Sequence, residues 1–178
     1  MVYRALLVAL TLISGLRITH VSAITVTNTL DSGAGSLRQA IATVNTNAGA
    51  DTITFNISGA GVHTITPATQ LPTITDQVVI DGTTQPGYAG KPLIGISGAT
   101  VGNGGNCLVV QSGGGGSTLR SLAINHEWSV AIDLQANNVI IDACFLGTDP
   151  TGISASGNGG GVNAEFGASA ARRQQRET

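Results

Sequence analysis

The segment LRSLAI at residues 119–124 returns as IDACFL at residues 141–146, at an offset of 22 positions. A second segment, CLVV at residues 107–110, precedes VAID at residues 130–133 by 23 positions. Repeats with periods of about 20 to 50 residues are typical of solenoids, propellers and arrays. Because each period holds short β-rich runs with no helical pattern between them, the repeat favours a β-solenoid whose coils stack on one another.

Short runs rich in β-branched residues continue this pattern through the middle of the chain. They are separated by Gly, Asn and Pro, and none exceeds eight residues. The pairs Pro86-Gly87 and Asp149-Pro150 are typical of tight turns. The runs lie at residues 52–57, 63–66, 78–81, 93–96, 107–110, 119–124, 130–134 and 139–146. We therefore predict an all-β fold, with parallel β-helix coils over residues 51–163.

One short amphipathic helix is predicted before these coils. Ser36 and Gln39 have the spacing of a capping box, and apolar residues follow at helical spacing. These apolar residues are Leu37, Ala40, Ile41 and Val44. A solenoid end exposes unpaired strand groups that recruit other chains unless something covers them. Residues 24–50 are therefore interpreted as an N-terminal strand and a capping helix.

The charge of the chain excludes one large class of functions. The 178 residues include 8 Lys and Arg against 10 Asp and Glu, giving a formal net charge of -2 at pH 7. Proteins that bind DNA or RNA need a basic surface that neutralises phosphates. We therefore expect no nucleic-acid partner, and no motif in the sequence predicts a cofactor.

The first 23 residues have the pattern of a secretory signal peptide. A basic residue, Arg4, precedes an apolar run at residues 5–13, and Val21-Ser22-Ala23 offers small residues at a cleavage position. Cleavage is predicted between Ala23 and Ile24. A membrane anchor is the competing interpretation, but the interrupted run is shorter than the roughly 20 apolar residues of a spanning helix. The sequence therefore predicts a secreted or cell-surface protein without a transmembrane segment in the mature chain.

Several segments together resemble the N-terminal region of bacterial secreted proteins with right-handed parallel β-helix repeats. They are ITVTN at residues 24–28, DSGAGSLRQAI at 31–41, ADTITF at 50–55, VIDGTTQPGY at 79–88 and LGTDPTG at 146–152. The resemblance implies a pectin-lyase-like, right-handed β-helix in an exported, often cell-surface protein that commonly continues with further coils. Gly35 departs from it, because related caps often carry Cys before Ser-Leu-Arg.

The repeat is predicted to stop after Gly161, leaving residues 164–178 as a non-repeat tail that ends RRQQRET. The tail is interpreted either as a truncated or frame-altered reading of a longer β-helix gene or as a solvated basic terminus. A partner-binding tail is a third interpretation. Without a C-terminal cap, the last coil is expected to promote self-association.

Catalytic residues are only weakly indicated, because the fold alone does not determine function. A glycoside hydrolase needs two carboxylates about 5 to 10 Å apart. A polysaccharide lyase of this fold needs carboxylates that bind calcium and a basic residue that removes a proton from the sugar. The weak candidates are Asp133, Asp142 and Arg120. Arg120 is predicted to stack over Asp142, which a solvent-facing ion pair also explains. Asp81 and Asp149 lie beside turn glycines, where Asp is expected to cap backbone groups.

The cluster Asn125-His126-Glu127-Trp128 contains the only Trp of the chain and is predicted to lie in a loop. An exposed Trp128 stacks on sugar rings, with His126 and Glu127 supplying hydrogen bonds. The alternative is a Trp packed against its own scaffold and a solvated loop. This cluster is therefore a candidate glycan-binding site.

The remaining candidates concern metals and thiols. His63 has no Cys, His or Asp cluster near it in the sequence, so no metal site is predicted. Cys107 and Cys144 either form a disulfide or are two small buried thiols, and the repeat register puts them on different walls. Taken together, the sequence favours an extracellular scaffold, structural or adhesive, that binds a polysaccharide or a cell surface. The alternative is an incomplete carbohydrate-active enzyme, a polysaccharide lyase or glycoside hydrolase, of the same fold.

Overall fold

The computed structural model describes residues 21–101, 104–126 and 128–165, together with the backbone of residues 170–173. Strands dominate this part of the chain, and one α-helix, α1 (Leu37–Val44), lies between the first two. The strands are β1 (Ala23–Val26), β2 (Asp51–Phe55), β3 (His63–Ile65), β4 (Val78–Asp81), β5 (Ile94–Ser97), β6 (Leu108–Val110), β7 (Thr118–Arg120), β8 (Leu122–Asn125), β9 (Val130–Leu134), β10 (Val139–Asp142), β11 (Phe145–Leu146), β12 (Gly160–Ala164) and β13 (Ala170–Arg173).

The strands form three parallel sheets that run along a solenoid of about five turns. The first sheet has the order β1-β2-β4-β7-β10-β13, the second β11-β8-β5-β3 and the third β12-β9-β6. Each complete coil therefore contributes one strand to each sheet, and strands pair with those of the neighbouring coils. This arrangement confirms the predicted all-β parallel solenoid with a short helix near its N-terminus.

The 22-residue repeat is confirmed on two sheets. Leu119 pairs with Ile141 in the first sheet, and Ile124 pairs with Leu146 in the second. The corner between these sheets has a left-handed residue in both coils, Ser121 with a φ of 52° and, in the next coil, Ala143 with a φ of 52°. The same corner geometry in both coils keeps their strands in the same register.

The predicted 23-residue offset of the third sheet was wrong by one position. Leu108 pairs with Ile132, which is an offset of 24. Both side chains are fully buried in the core. Side chains alternate between the two faces of a strand, so a one-residue shift would have paired Leu108 with Ala131 and turned one of the two partners away from the interior.

The interior consists of stacked apolar side chains, most of them β-branched or Leu. In the first sheet the consecutive rungs contribute Ile53, Ile80, Leu119 and Ile141, none more than 7% exposed. Coils of this kind bury their inner faces only against each other, so the core forms only when the coils stack.

The helix forms as predicted, with one difference at its start. Ser36 is the N-cap and its Oγ accepts a hydrogen bond from the Gln39 N–H at 3.2 Å. Gln39 does not return the bond, because the Ser36 N–H donates to the Gly33 carbonyl oxygen at 3.2 Å, and Gln39 Nε2 donates to Thr43 Oγ1. The apolar face is buried against the first coils and consists of Leu37, Ala40, Ile41 and Val44.

Arg38 fastens this helix to two neighbouring loops. Its Nη2 lies 2.7 Å from Asp31 Oδ1, and the guanidinium donates to the carbonyl oxygens of Thr69 at 2.8 Å and Gln70 at 2.7 Å. Because the planar guanidinium bonds several acceptors at once, it fixes the helix relative to both loops. The hydrogen bond from Arg38 is also the main reason that the pKa of the Asp31 carboxyl is lowered.

The β structure continues past Gly161, where the repeat was predicted to stop. β12 extends to Ala164, and β13 forms a sixth rung of the first sheet, where Arg173 is in register with Asp142. Parallel pairing uses backbone groups that every residue except Pro supplies, so the basic composition of the tail does not prevent it. The remaining tail residues lie outside the described part of the chain, and self-association through the last coil stays a prediction.

Within the described ranges, no helix is long and apolar enough to cross a membrane. Most of the predicted signal segment, residues 1–20, lies outside those ranges. The predicted cleavage residues are part of β1, where Ala23 pairs with Thr52 and Ile24 pairs with Ile53.

Candidate functional site

Arg120 and Asp142 lie together on the first sheet, as the repeat predicted. Arg120 Nε donates to Asp142 Oδ2 at 3.0 Å, and Arg120 Nη1 lies 3.6 Å from Asp81 Oδ2. The three side chains occupy consecutive rungs, since Asp81 pairs with Arg120 and Arg120 with Asp142. We call this row the charge ladder. Directly opposed opposite charges support sheet pairing, although exposed pairs contribute little each.

Asp149 and Asp81, the latter also a member of the charge ladder, cap turns as the sequence predicted. Asp81 Oδ1 accepts hydrogen bonds from both the backbone N–H and the hydroxyl of Thr83, at 3.0 and 2.6 Å. Asp149 accepts from the Thr151 hydroxyl at 2.8 Å and from the backbone N–H groups of Ile153 and Ser154. These bonds, above all the one from Thr151, lower the pKa of Asp149.

Asp133 and Asp142 lie on different sheets. Asp133 belongs to the third sheet, whereas Asp142 ends a strand of the first. Asp133 is only 5% exposed, and its carboxylate accepts hydrogen bonds from the side-chain amides of Asn163 at 2.7 Å and Asn106 at 3.1 Å. Both carboxylates are therefore held in separate contacts.

Trp128 does not offer an exposed ring, contrary to the glycan-stacking expectation. Its side chain is 1% exposed, and the indole Nε1 is buried without a hydrogen-bond partner in the described part of the chain. Gly98 makes the burial possible, because a Cβ at that position would lie 2.8 Å from Cδ1 and Nε1 of the ring. Glu127, the third residue of the predicted cluster, lies outside the described residues.

Among the described members of the cluster, His126 is exposed, whereas Asn125 and Trp128 are buried. It follows β8 at a corner, with a left-handed φ of 59°. Its Nδ1 lies 3.1 Å from Asn125 Oδ1 and 2.9 Å from Ser156 Oγ. Asn125 is itself fixed, because its Nδ2 donates to the Thr148 carbonyl oxygen at 2.9 Å. We call His126, Ser156 and Asn125 the histidine corner.

Sequence reasoning found His126 and Asn125 but missed Ser156. The 22-residue offset, which pairs Ile124 with Leu146, could have placed Thr148 beside this corner. Ser156 lies 30 residues after His126, beyond the turn that Asp149 organises, and no periodic signal leads to it.

Both cysteines are free thiols, and they lie just before strands of different sheets, Cys107 before β6 and Cys144 before β11. Cys107 is fully buried, and burial raises the pKa of its thiol well above the ordinary value. Burial likewise raises the pKa of Cys144 to about 11. Thiols that stay protonated are poor nucleophiles, so both behave as small core residues. Among the described residues, no group of three or more His, Cys, Asp or Glu side chains is placed to hold a metal ion.

Comparison with protein-family models, with curated proteins and with solved structures found no match. The assignment of a parallel solenoid therefore rests on the strand pairing of this chain alone. The resemblance to pectin-lyase-like proteins and to their N-terminal caps remains a sequence-based prediction.

Proposed function

We propose that this protein is an exported, extracellular or cell-surface β-solenoid scaffold with a structural or adhesive role, and that it binds glycans. The scaffold role is supported by the contacts that the carboxylates on the strands make. Asp81, Asp133 and Asp142 each accept hydrogen bonds or form ion pairs with side chains of neighbouring coils. Because these carboxylates hold neighbouring coils together, they favour an architectural role over a role in acid–base catalysis.

Export is supported by the sequence of residues 1–23, with its basic start, apolar run and small residues before the predicted cleavage position. The resemblance to secreted β-helix proteins favours the same location. Detecting the protein in the culture supernatant or the cell-surface fraction, with its N-terminus sequenced, tests this part directly.

Glycan binding is supported by the histidine corner. His126 is exposed, and its ring is held on one side by Asn125 and Ser156, so a polar group is presented to solvent in a fixed orientation. Carbohydrate sites use a few precisely placed polar groups of this kind.

A glycan array on the secreted product tests the proposal, followed on each hit by an assay for cleavage with and without calcium. Binding without cleavage is the expected result. Cleavage of a polyuronate or related glycan would overturn the scaffold role in favour of a polysaccharide lyase or glycoside hydrolase. Binding to no glycan on the array would overturn the adhesive part.

A further inference from the structure

Asp51 is a buried carboxylate with one oxygen left unpaired. It lies at the start of β2 and is fully buried. Its Oδ1 accepts the Ser22 N–H at 2.7 Å, and its Oδ2 has no partner in the described part of the chain. The ion pairs found there involve other carboxylates, those of Asp31, Asp81 and Asp142. A buried carboxylate with one neutral donor is costly, and a positive charge at the same place would offset that cost.

The donor that faces Asp51 lies where the chain enters the first sheet. Val21 is 71% exposed and precedes β1, whereas the Ser22 carbonyl oxygen already accepts the Thr52 N–H at 2.8 Å. The predicted cleavage position after Ala23 lies within the paired strand. In the folded chain, the Val21–Ser22 peptide bond is therefore the last one before the main chain is bonded to β2.

Hydrolysis of this bond by a peptidase would place a positive charge beside Asp51. Water supplies the hydroxyl of the new Val21 carboxyl group and a hydrogen for Ser22 N. The resulting α-amine takes up a proton at neutral pH, because the ordinary pKa of such a group is about 7.7–8.0. The ammonium keeps the hydrogen bond to Oδ1 and has two further N–H donors, so the same nitrogen has a donor for the unpaired Oδ2. Opposite charges this close favour the charged form of both groups.

We propose that Asp51 is the binding site for the α-ammonium group of Ser22, and that the mature chain begins at Ser22 after a peptidase removes the exposed leader. The proposal rests on the export part of the proposed function, and it moves the start two residues before the position that the small residues predict. Cleavage after Ala23 removes both the donor to Asp51 and the acceptor of the Thr52 N–H. Cleavage before Ser22 keeps both.

Amine labelling of recombinant chains tests the site independently of export. Lys91 is the only Lys of the sequence and is exposed, so a chain that begins at Ser22 has one α-amine and one reference amine. An ammonium reacts only after it loses its proton. The Ser22 α-amine should therefore label at least about tenfold more slowly than the α-amine of a chain that begins at Val21.

The variant Asp51→Asn separates the charge from simple burial. In the chain that begins at Ser22, this substitution should restore fast labelling of the α-amine, while Lys91 should label at the same rate in every chain. Equal labelling rates for the α-amines of the Ser22 and Val21 chains would overturn the proposal. Slow labelling that persists in Asp51→Asn would also overturn it, because burial alone would then explain the rate.

Urea denaturation measures what the charge contributes to folding. Acetylation of the Ser22 α-amine before refolding keeps the N–H and removes the charge, and a Lys91→Arg background confines the reaction to this amine. The unmodified chain should have a folding equilibrium constant about tenfold larger than that of the acetylated chain. In Asp51→Asn the two forms should be equally stable. Equal stability of the two forms with Asp51 present would contradict the ion pair.

Sequencing the N-terminus of the secreted protein tests the processing. The expected first residue is Ser22. A secreted chain that begins at Ile24 would overturn the proposed start while leaving export intact. A chain that stays inside the cell with its leader attached would overturn export and processing together.

Discussion

Gln85 holds the backbone of Ile57 with both ends of its side-chain amide. Its Oε1 accepts the Ile57 N–H at 2.9 Å, and its Nε2 donates to the Ile57 carbonyl at 2.8 Å. Gln85 is 1% exposed, and the neighbouring Thr84 Oγ1 accepts from the Phe55 N–H at 2.8 Å. Two side chains therefore continue the hydrogen-bond ladder of β2 where the main chain of β4 has turned away.

Replacing Gln85 should destabilise the fold because it leaves both backbone groups of Ile57 buried and unpaired. We expect Gln85→Ala to lower the free energy of unfolding by about 1–3 kcal/mol, measured by urea denaturation. Gln85→Glu keeps the size but loses the donor, so it should also destabilise. Gln111→Ala, at an exposed position, is the control. Equal stability of the Gln85 and Gln111 variants would contradict the role of the amide.

The start of β1 depends on a buried carboxylate. Asp51 is fully buried, its Oδ1 accepts the Ser22 N–H at 2.7 Å, and its Oδ2 has no partner in the described part of the chain. A chain that begins at Ile24, as the predicted cleavage would leave it, lacks this donor. It should be about 1–3 kcal/mol less stable than a chain that begins at Val21.

Asp51→Asn provides the test of cause, because a neutral amide costs less to leave unpaired than a carboxylate. In this variant the stability difference between the two starting points should shrink. If the stability difference between the two starting points is as large in the Asn variant as in the wild type, the loss comes from Ser22 and Ala23 themselves rather than from the carboxylate.

Acid should weaken the fold through Asp31 and Asp149, whose pKa values are lowered from 3.8 by hydrogen bonds, chiefly from Arg38 and Thr151. A depressed pKa in the folded state adds stability above the unfolded pKa, and this stability is lost as the pH falls through the folded value. Stability should therefore be level above about pH 5 and decline below about pH 4. Asp31→Asn and Asp149→Asn should each flatten this decline in melting curves, and an unchanged slope would contradict the assignment.

The helix should protect the first coils from association. Leu37 and Ile41 are fully buried, so Leu37→Asp or Ile41→Asp should detach α1 and expose apolar surface. Aggregation is the expected result, measured by size-exclusion chromatography with light scattering. Gln39→Asp on the exposed face of the same helix should remain unaffected, and a soluble Ile41→Asp protein of unchanged size would argue against a capping role.

The sequence predicts what is periodic in this fold and misses what is not. The stacking of Arg120 on Asp142 follows from a 22-residue repeat, and the helix follows from Ser36 and apolar spacing. The burial of Trp128 depends on Gly98, 30 positions away in another coil, so local composition does not predict it. Ser156 likewise reaches His126 only through a turn whose shape is set by side-chain hydrogen bonds.

The charge ladder gives the coils an order. Asp81, Arg120 and Asp142 alternate in sign on consecutive rungs of one sheet. If β10 were to pair with β4 and skip a coil during folding, Asp142 would lie opposite Asp81, and like charges directly opposed destabilise a sheet. The inner apolar residues of different coils are nearly interchangeable and would accept such an exchange. The alternating charges of the ladder therefore disfavour a coil that stacks in the wrong order.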